Sequence, residues 1–553
     1  MESAKVRGLD FGTSTSLVSE SSILGPQVVP IGRLERWLPS LVAHDQGRWI
    51  SGEAASSLPE SQIIRSIKRA ITRSEEHISI VQDGRHVLVN ADAAIIELLR
   101  HIASAADASV ASLGEEGIVR LGCPAIWDGP QRKRFIRLAT AAGIAVGDNT
   151  LIEEPIAAGI AWINQRVRLG QKVSGKVLVF DMGGGTLDVA VLEVDARNDS
   201  GPAISVQAAV GEDEAGDALD ECIALDLEAK LAQSGFDVGS HADADEIRSW
   251  IRLDARAAKL ELSSELDVPV VFSYPHAALP SQRYSREELE TAFTPQLTRA
   301  LETVTLALRA ALMAQVAGSR TDAVSLTPSE ARQKTLEQLA VGVDYVLVMG
   351  GMGLVPATTE RLGAVFRPDR VFVGVDDDPT TAIVTGLAEH DSYERLNLHR
   401  PGFDFVVEWF DEATSVFTSV DVYGAYSPLY SRQSVLQTNS TKFRWAPKSA
   451  VFPSKGSGLL KVKSVSGNVI TFKLEGKEGN GITFGFGSSL PFVSLEPNGR
   501  VFIRDGAGRE RSARIAQWPV IRGTRHEAIV MTRDESAERK PVPELVWHQR
   551  PYD

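Results

Sequence analysis

Val6-Arg7-Gly8-Leu9-Asp10-Phe11-Gly12-Thr13-Ser14-Thr15-Ser16 reads as a strand, a glycine turn and a return strand. Far downstream, Val177-Leu178-Val179-Phe180-Asp181-Met182-Gly183-Gly184-Gly185-Thr186-Leu187-Asp188-Val189 repeats the plan. Each copy ends an apolar strand at an aspartate and turns through glycine into a hydroxyl residue. Glycine admits dihedrals closed to other residues and lets backbone N–H groups approach an anion. The aspartate suits a hydrated divalent cation, because Mg²⁺ keeps several of its waters and takes few carboxylates. Facing one another, two such hairpins would clamp a nucleotide's phosphates between two lobes. Gly12, Thr13, Ser14 and Thr15 would wrap them from one side, and Gly183, Gly184, Gly185 and Thr186 from the other. Taken singly, either aspartate is an ordinary turn residue after a strand. The pairing is what points to a site.

Working outward, residues 1–170 and 171–389 read as two α/β lobes, a divergent two-fold internal repeat. Ala91–Leu99 has helical periodicity, and Gly117–Gly122 reads as a strand. Asp128-Gly129-Pro130 opens a helix through Arg132–Ala142 that Gly143 stops. Gly170–Gly175 is a short polar passage into the second half. His390–Arg400 is charged and lacks periodicity, which marks a linker. Beyond it the texture changes to an antiparallel β domain over residues 401–530, with strand candidates at Val416–Tyr423, Leu459–Val465 and Val469–Leu474. Asn498-Gly499 between Phe492–Leu495 and Val501–Ile503 is a hairpin signal. Residues 531–553, rich in charge and proline, read as a tail.

A chain of 553 residues has room for two to four domains, and 43% hydrophobic with 24% charged residues is ordinary for a soluble protein. No stretch offers about 18 uninterrupted apolar residues, so no membrane partner is expected. The first hairpin begins at Val6, which leaves no room for a targeting peptide, and the expected location is cytoplasmic. Cys123 and Cys222 alone argue against a disulfide scaffold and for a reducing compartment. Net charge is −14, yet residues from 401 onward carry 20 Lys and Arg against 16 Asp and Glu. The acidic first part argues against nucleic-acid binding there. Arg500, Arg504, Arg509, Arg511, Arg514, Arg522 and Arg525 crowd the C-terminal strands beside Trp518. They read as an exposed sheet face that discourages edge pairing, or as a basic face for nucleic acid.

The two hairpins, taken with Leu151–Trp162, Val346–Pro356 and Asp378–Ala388, resemble the ordered motifs of the actin-like ATPase superfamily. The chain is most similar to the seventy-kilodalton heat-shock chaperones. The resemblance covers roughly the first 390 residues. It implies a two-lobed ATPase of duplicated ribonuclease H-like lobes, followed by an all-β domain, and it implies ATP or ADP with Mg²⁺ as cofactors. By the same resemblance, Asp10 and Asp181 act on the metal through water. Lys68 contacts the γ-phosphate and the attacking water, and Glu154 and Thr186 complete the catalytic set. Lys68 also reads as a solvated lysine on an amphipathic helix, and Glu154 as a residue that starts a helix.

Gly350, Gly351 and Gly353 are implied to let the backbone approach the nucleoside, and Lys259 and Ser263 to contact ribose and base. Leu354 and Leu260 stand where the family places arginines beside the adenine, and Arg256 stands where an acid is expected. Pro124 and Arg132 resemble a proline and an arginine that relay nucleotide state to the second domain. Residues 401–530 resemble a divergent peptide-gripping domain, with unfolded peptide or client protein as partner. A J-domain co-chaperone and a nucleotide exchange factor are implied alongside. The linker lacks the family's leucine run, and the chain ends too soon for its helical lid. The reading expected is therefore an ATP-hydrolysing chaperone-like switch. The alternatives are a nucleotide-dependent scaffold or filament and a small-metabolite kinase, for which no catalytic aspartate can be assigned.

Overall fold

In the computed structural model, both hairpins lie at the centre of the same kind of sheet. The structure describes residues 5–82, 85–109, 111–114, 118–147, 150–195, 203–318, 328–375, 378–389, 393–394, 400–429, 443–447, 452–496, 499–519, 521–522, 525–526, 528–534 and 541–547. Asn498, Gly117 and most of the segment read as a linker lie outside them.

In the first lobe, Val6–Phe11 pairs in parallel with Ile118–Cys123 and antiparallel with Thr15–Glu20. The sheet runs from Leu151–Glu153 at one edge to Gln27–Val29 at the other. In the second lobe, Gly175–Met182 pairs in parallel with Tyr345–Met349 and antiparallel with Leu187–Asp195. That sheet runs from Val371–Val373 through Ala203–Glu212. Order and polarity match, so the repeat in sequence is a repeat in architecture. All of Val6–Phe11 and the stretch Val177–Met182 are buried. Covered on both faces, Val177–Phe180 reads as an unbroken apolar run, whereas Val6–Phe11 also buries Arg7, which donates to Glu20 at 3.0 Å.

Two helices fill the space between the sheets. Glu154–Arg168 starts with Pro155 in its first turn, where the missing N–H costs nothing. It crosses Ala382–Leu387 so closely that any Cβ at Gly386 would collide with the Ala157 carbonyl. Ser19 Oγ donates to the Val384 carbonyl at 2.5 Å, which ties this crossing to the first sheet. The floor of the cleft is thus a backbone-to-backbone contact. In the second lobe, Gly216–Gln233 buries Leu219, Ile223, Leu227 and Leu231 at helical spacing against Ala244–Glu261. Among the described residues, no helix is long and apolar enough to cross a membrane.

The described residues of the C-terminal part form two large sheets and a two-stranded ribbon of Ile521–Arg522 with Arg525–His526. Val416–Tyr423, Asp404–Asp411, Ser457–Lys463, Gly481–Gly485 and Leu545–Val546 form an antiparallel sheet. The other sheet runs from Phe443–Trp445 through Arg500–Arg504 to Lys477–Gly479. Buried between them are Phe405, Trp409, Phe484, Phe486 and Trp518. Expectation and structure differ in three places. Leu545–Val546, within the stretch read as a tail, pairs with Gly481–Gly485 as an edge strand. Of Val469–Leu474, only Phe472–Leu474 is strand, and it pairs in parallel with Ile529–Thr532 in an otherwise antiparallel domain. Within the expected linker, Tyr393–Glu394 adds a parallel edge to Ala203–Glu212.

The basic face is not free. Arg509 and Arg511 pair with the fully buried Asp505, Arg500 with Asp534, and Arg504 lies over the Phe492 ring. Trp518 is in the core, and the Arg522 and Arg525 side chains lie outside the described residues.

The β domain touches the first lobe on the helix Gly129–Ala141. The Arg132 guanidinium lies 3.8 Å over the Tyr426 ring, and Lys133 pairs with Asp404 at 2.8 Å. Arg400 donates to the Ala125 carbonyl. Arg132 is itself fully buried, donating to the Trp127 carbonyl, Cys123 Sγ and Glu153. Cys123 is sealed beneath it, and burial pushes its thiol up to about 12, while Cys222 is exposed.

Candidate functional site

The two glycine turns meet across a cleft. A Cβ added at Gly185 would lie 2.9 Å from Thr13 Oγ1, and one at Gly184 would lie 3.1 Å from Ser14 Oγ. Each turn is closed by its own backbone. The Gly183 N–H donates to the Thr186 carbonyl at 3.1 Å, and a side chain at Gly12 would strike the Thr15 carbonyl. The second turn also seats the next helix, because the Gly216 and Asp217 N–H groups donate to the carbonyls of Gly183 and Gly184. Ser66 sits at φ 53°, a backbone region that residues with a side chain avoid. Its hydroxyl donates across the cleft to Asp217 at 2.7 Å.

Between the lobes lies a cavity of about 350 Å³. Asp10, Lys68, Glu154, Asp181 and Thr186 line its inner end, with Gly12, Thr13, Ser14, Thr15, Gly183, Gly184 and Gly185 around them. Lys259, Ser263, Gly350, Gly351 and Leu354 line the outer end. Gly353 is the exception among the residues expected at the site. It is buried behind the turn, where a side chain would press on Val348, and it serves packing. Gly350 does need its freedom: its φ is +76°, and any Cβ would meet the Met182 carbonyl. Leu260 and Leu354, 60% and 47% exposed, are open apolar surfaces on the lining.

Electrostatics set the inner end apart. The Lys68 ammonium, 4% exposed, pairs with Glu154, 5% exposed. Lys68 is neither solvated nor on the face of an amphipathic helix, since it stands at the cap of a single turn, Arg69–Thr72. Burial works against its charge, but Glu154, Asp10 and Asp188 together hold its pKa above the usual lysine value. Burial pushes the Asp10 carboxyl up to about 7, helped by the Glu154 charge and opposed by Lys68. Asp181 is held well above the carboxylate range by burial, then by Glu154, Asp188 and Asp10. Asp188 is raised to about 7 by burial and Glu154. Burial is the main cause for the three aspartates, and having one ammonium among four buried carboxyls adds to it.

That donor set fits a divalent cation. Among the described residues, no three His, Cys, Asp or Glu side chains gather closely enough to hold an ion alone. Contact through water, with phosphate oxygens completing the shell, suits carboxylates spaced in this way. Asp10 and Asp181 would hold the hydrated ion, which would supply charge neutralisation at the phosphates.

Residues 6–332 match the family model described as Hsp70 protein. The chain belongs to the Hsp70 family. It is 27% identical over 452 residues to the chaperone protein DnaK of Thermosipho africanus, covering 79% of this chain and 67% of that one. Over 372 residues it is 27% identical to the DnaK of Mycoplasma mycoides, covering 67% of this chain and 56% of that one. The DnaK of Thermotoga maritima is 25% identical over 448 residues, with 79% and 67% covered. Hsp70 proteins are chaperone ATPases that use ATP and ADP with Mg²⁺ and work on substrate proteins with co-chaperones. At that level the family accounts for the duplicated α/β lobes and the β-rich region that follows them.

This Hsp70 chain also holds site residues that the reading of the motifs did not assign. Asp188 accepts from Thr186 Oγ1 at 2.8 Å and from the Ala125 N–H at 2.6 Å, fixing the second turn to the segment after Pro124. The alternation Thr186-Leu187-Asp188 put both polar groups on one side of the strand, which was the available signal. Asp220 pairs with Lys259 at 2.6 Å, and Pro379 and Thr380, from the motif Asp378–Ala388, close the outer end.

Proposed function

We propose that this chain is an ATP-hydrolysing chaperone switch, in which a Mg²⁺-bound nucleotide in the cleft governs the engagement of a C-terminal β domain with extended peptide or protein. The observation that carries this is the convergence of the two glycine turns on one cavity with Lys68 and Glu154 buried at its base. Backbone N–H groups of Gly12–Thr15 and Gly183–Thr186 would grip the β- and γ-phosphates. Lys68 would stabilise charge on the transferred phosphoryl group, while Glu154 orders the attacking water and Thr186 positions it. Positioning and charge stabilisation suffice for this chemistry, with no covalent intermediate. Leu260 and Leu354 would hold the base by apolar contact, and Lys259 and Ser263 the ribose.

Coupling is supported by a chain of contacts. Tyr426 stacks on Arg132, Arg132 bonds Glu153, and Glu153 precedes the Glu154 that pairs with Lys68. A J-domain co-chaperone and an exchange factor belong to the same reading. So does a cytoplasmic setting, which suits the two free thiols.

The test is the steady-state ATPase rate of the full chain with and without an unfolded peptide. Slow turnover that the peptide accelerates is expected. Phosphate transfer to a polyol, or bound ATP without phosphate release in either condition, would refute the switch.

A further inference from the structure

Every cation around the cleft is matched by a carboxylate except one. Lys68 pairs with Glu154, Lys259 with Asp220, and Arg69 with Asp213 and Asp217. Among the described residues, no ion pair or hydrogen bond engages Arg256, which is half-buried one turn before Lys259 on the Ala244–Glu261 helix. The carboxylate whose field it feels, Asp220, is already held by Lys259.

Arg256 lines two spaces at once. One is the nucleotide cleft, and the other is an adjoining cavity of about 250 Å³ that shares the wall Thr13–Thr15. Arg65 and Ser66 of the first lobe face Arg256 of the second across this cavity, and no carboxylate lines it. Arg65 is fixed in place by a two-pronged bond to Glu60 at 2.6 and 2.8 Å, and Ser66 by Asp217. The space is thus walled by the hydroxyls of Thr13, Ser14 and Thr15 and by the apolar Trp37, Pro39 and Leu41, and Arg256 is its one cation without a carboxylate partner among the described residues.

We propose that this cavity is a phosphate site, closed from the second lobe by Arg256 and adjoining the ribose end of the cleft. The assignment rests on the nucleotide reading given above. A planar guanidinium takes phosphate oxygens two at a time, and hydroxyls supply further donors. At a ribose edge an acid accepts from the hydroxyls, whereas an arginine accommodates a phosphate esterified there. Lys259 and Ser263 continue the same helix face towards the nucleoside, so Arg256 stands on its phosphate side. The phosphate has two sources: an ester on the 2′- or 3′-oxygen of the bound nucleotide, or a free phosphate ion beside it. In either case it bridges the lobes and slows their opening.

Calorimetric titration of the full chain separates these outcomes. The probes are adenosine 5′-diphosphate, its 2′- and 3′-phosphorylated counterparts, and the plain diphosphate in the presence of inorganic phosphate. A gain in affinity on the order of tenfold for a phosphorylated ribose assigns the ester, and a similar gain with inorganic phosphate assigns the free ion. Either gain should vanish in Arg256→Glu and return in part in Arg256→Lys, which keeps charge but loses the fork. Equal affinities for all probes in the wild type, or a gain that survives Arg256→Glu, overturns the proposal and leaves the nucleotide reading standing. Failure of every nucleotide to bind overturns both.

Discussion

At the residue scale the proposed chemistry turns on Lys68, the one ammonium among four buried carboxyls. Lys68→Ala is expected to lower the single-turnover hydrolysis rate by at least about a hundredfold, the loss typical when a group stabilising developing charge is removed. A rate within threefold of wild type, measured by phosphate release, would remove Lys68 from the mechanism. The same variant should melt at a lower temperature, since Glu154 would keep its burial and lose its partner. How far such residues could be read in advance depended on how local their signals are. Asp10 and Asp181 were legible because a glycine turn after an apolar strand is complete within a dozen residues. Lys68 lies in a basic stretch that local pattern treats as solvent-facing, and only the resemblance drew it inward. Gly353 went the other way: three glycines in one turn look alike in sequence, yet one of them packs on Val348 and leaves the lining to the others.

At the scale of elements, the crossing of Glu154–Arg168 with Ala382–Leu387 sets the spacing of the lobes. Gly386→Ala would drive a methyl group into the Ala157 carbonyl. A loss on the order of 1–3 kcal/mol is expected for overpacking, read as a lower urea midpoint. An unchanged midpoint would show that the helices can slide apart freely. Strand pairing in the β domain carries its own pH dependence. Burial raises the Glu408 carboxyl, but hydrogen bonds from Lys461 and Lys463 outweigh it and hold the pKa below the ordinary glutamate value. A depressed carboxyl contributes stability that is fully present above the unfolded-state pKa and is lost as pH falls through the folded one. Wild type should therefore lose stability on acidification below about pH 4.5 more steeply than Glu408→Gln. Parallel melting curves across that range check it, and identical slopes would count against the pairing. Longer elements were the legible ones. The helix Ala91–Ala108 and the strand Val416–Tyr423 declare themselves by period and composition. The two-residue edge Leu545–Val546 does not, because its pairing with Gly481 and Ile482 joins segments some sixty residues apart.

For the whole molecule, the contact of Tyr426 with Arg132 is where two bodies meet. Tyr426→Ala should loosen the β domain from the first lobe, increasing the radius of gyration in solution scattering and weakening any stimulation of hydrolysis by peptide. Unchanged scattering and stimulation would locate the coupling elsewhere. The duplication of lobes was plain in the sequence, since both copies keep the same motif. The docking was legible from one side only: the resemblance singled out Arg132 as a relay to the second domain, whereas the loop at Ala425-Tyr426 carries no mark of its partner. One further property follows from the pair of cysteines. Cys222 is open to reagents, whereas Cys123 is capped by Arg132 at the very seam between the bodies. A maleimide dye should tag one sulfur quickly and reach the other only when that seam parts. The unmodified chain thus comes supplied with an internal clock for its own opening, readable by counting tags over time in each nucleotide.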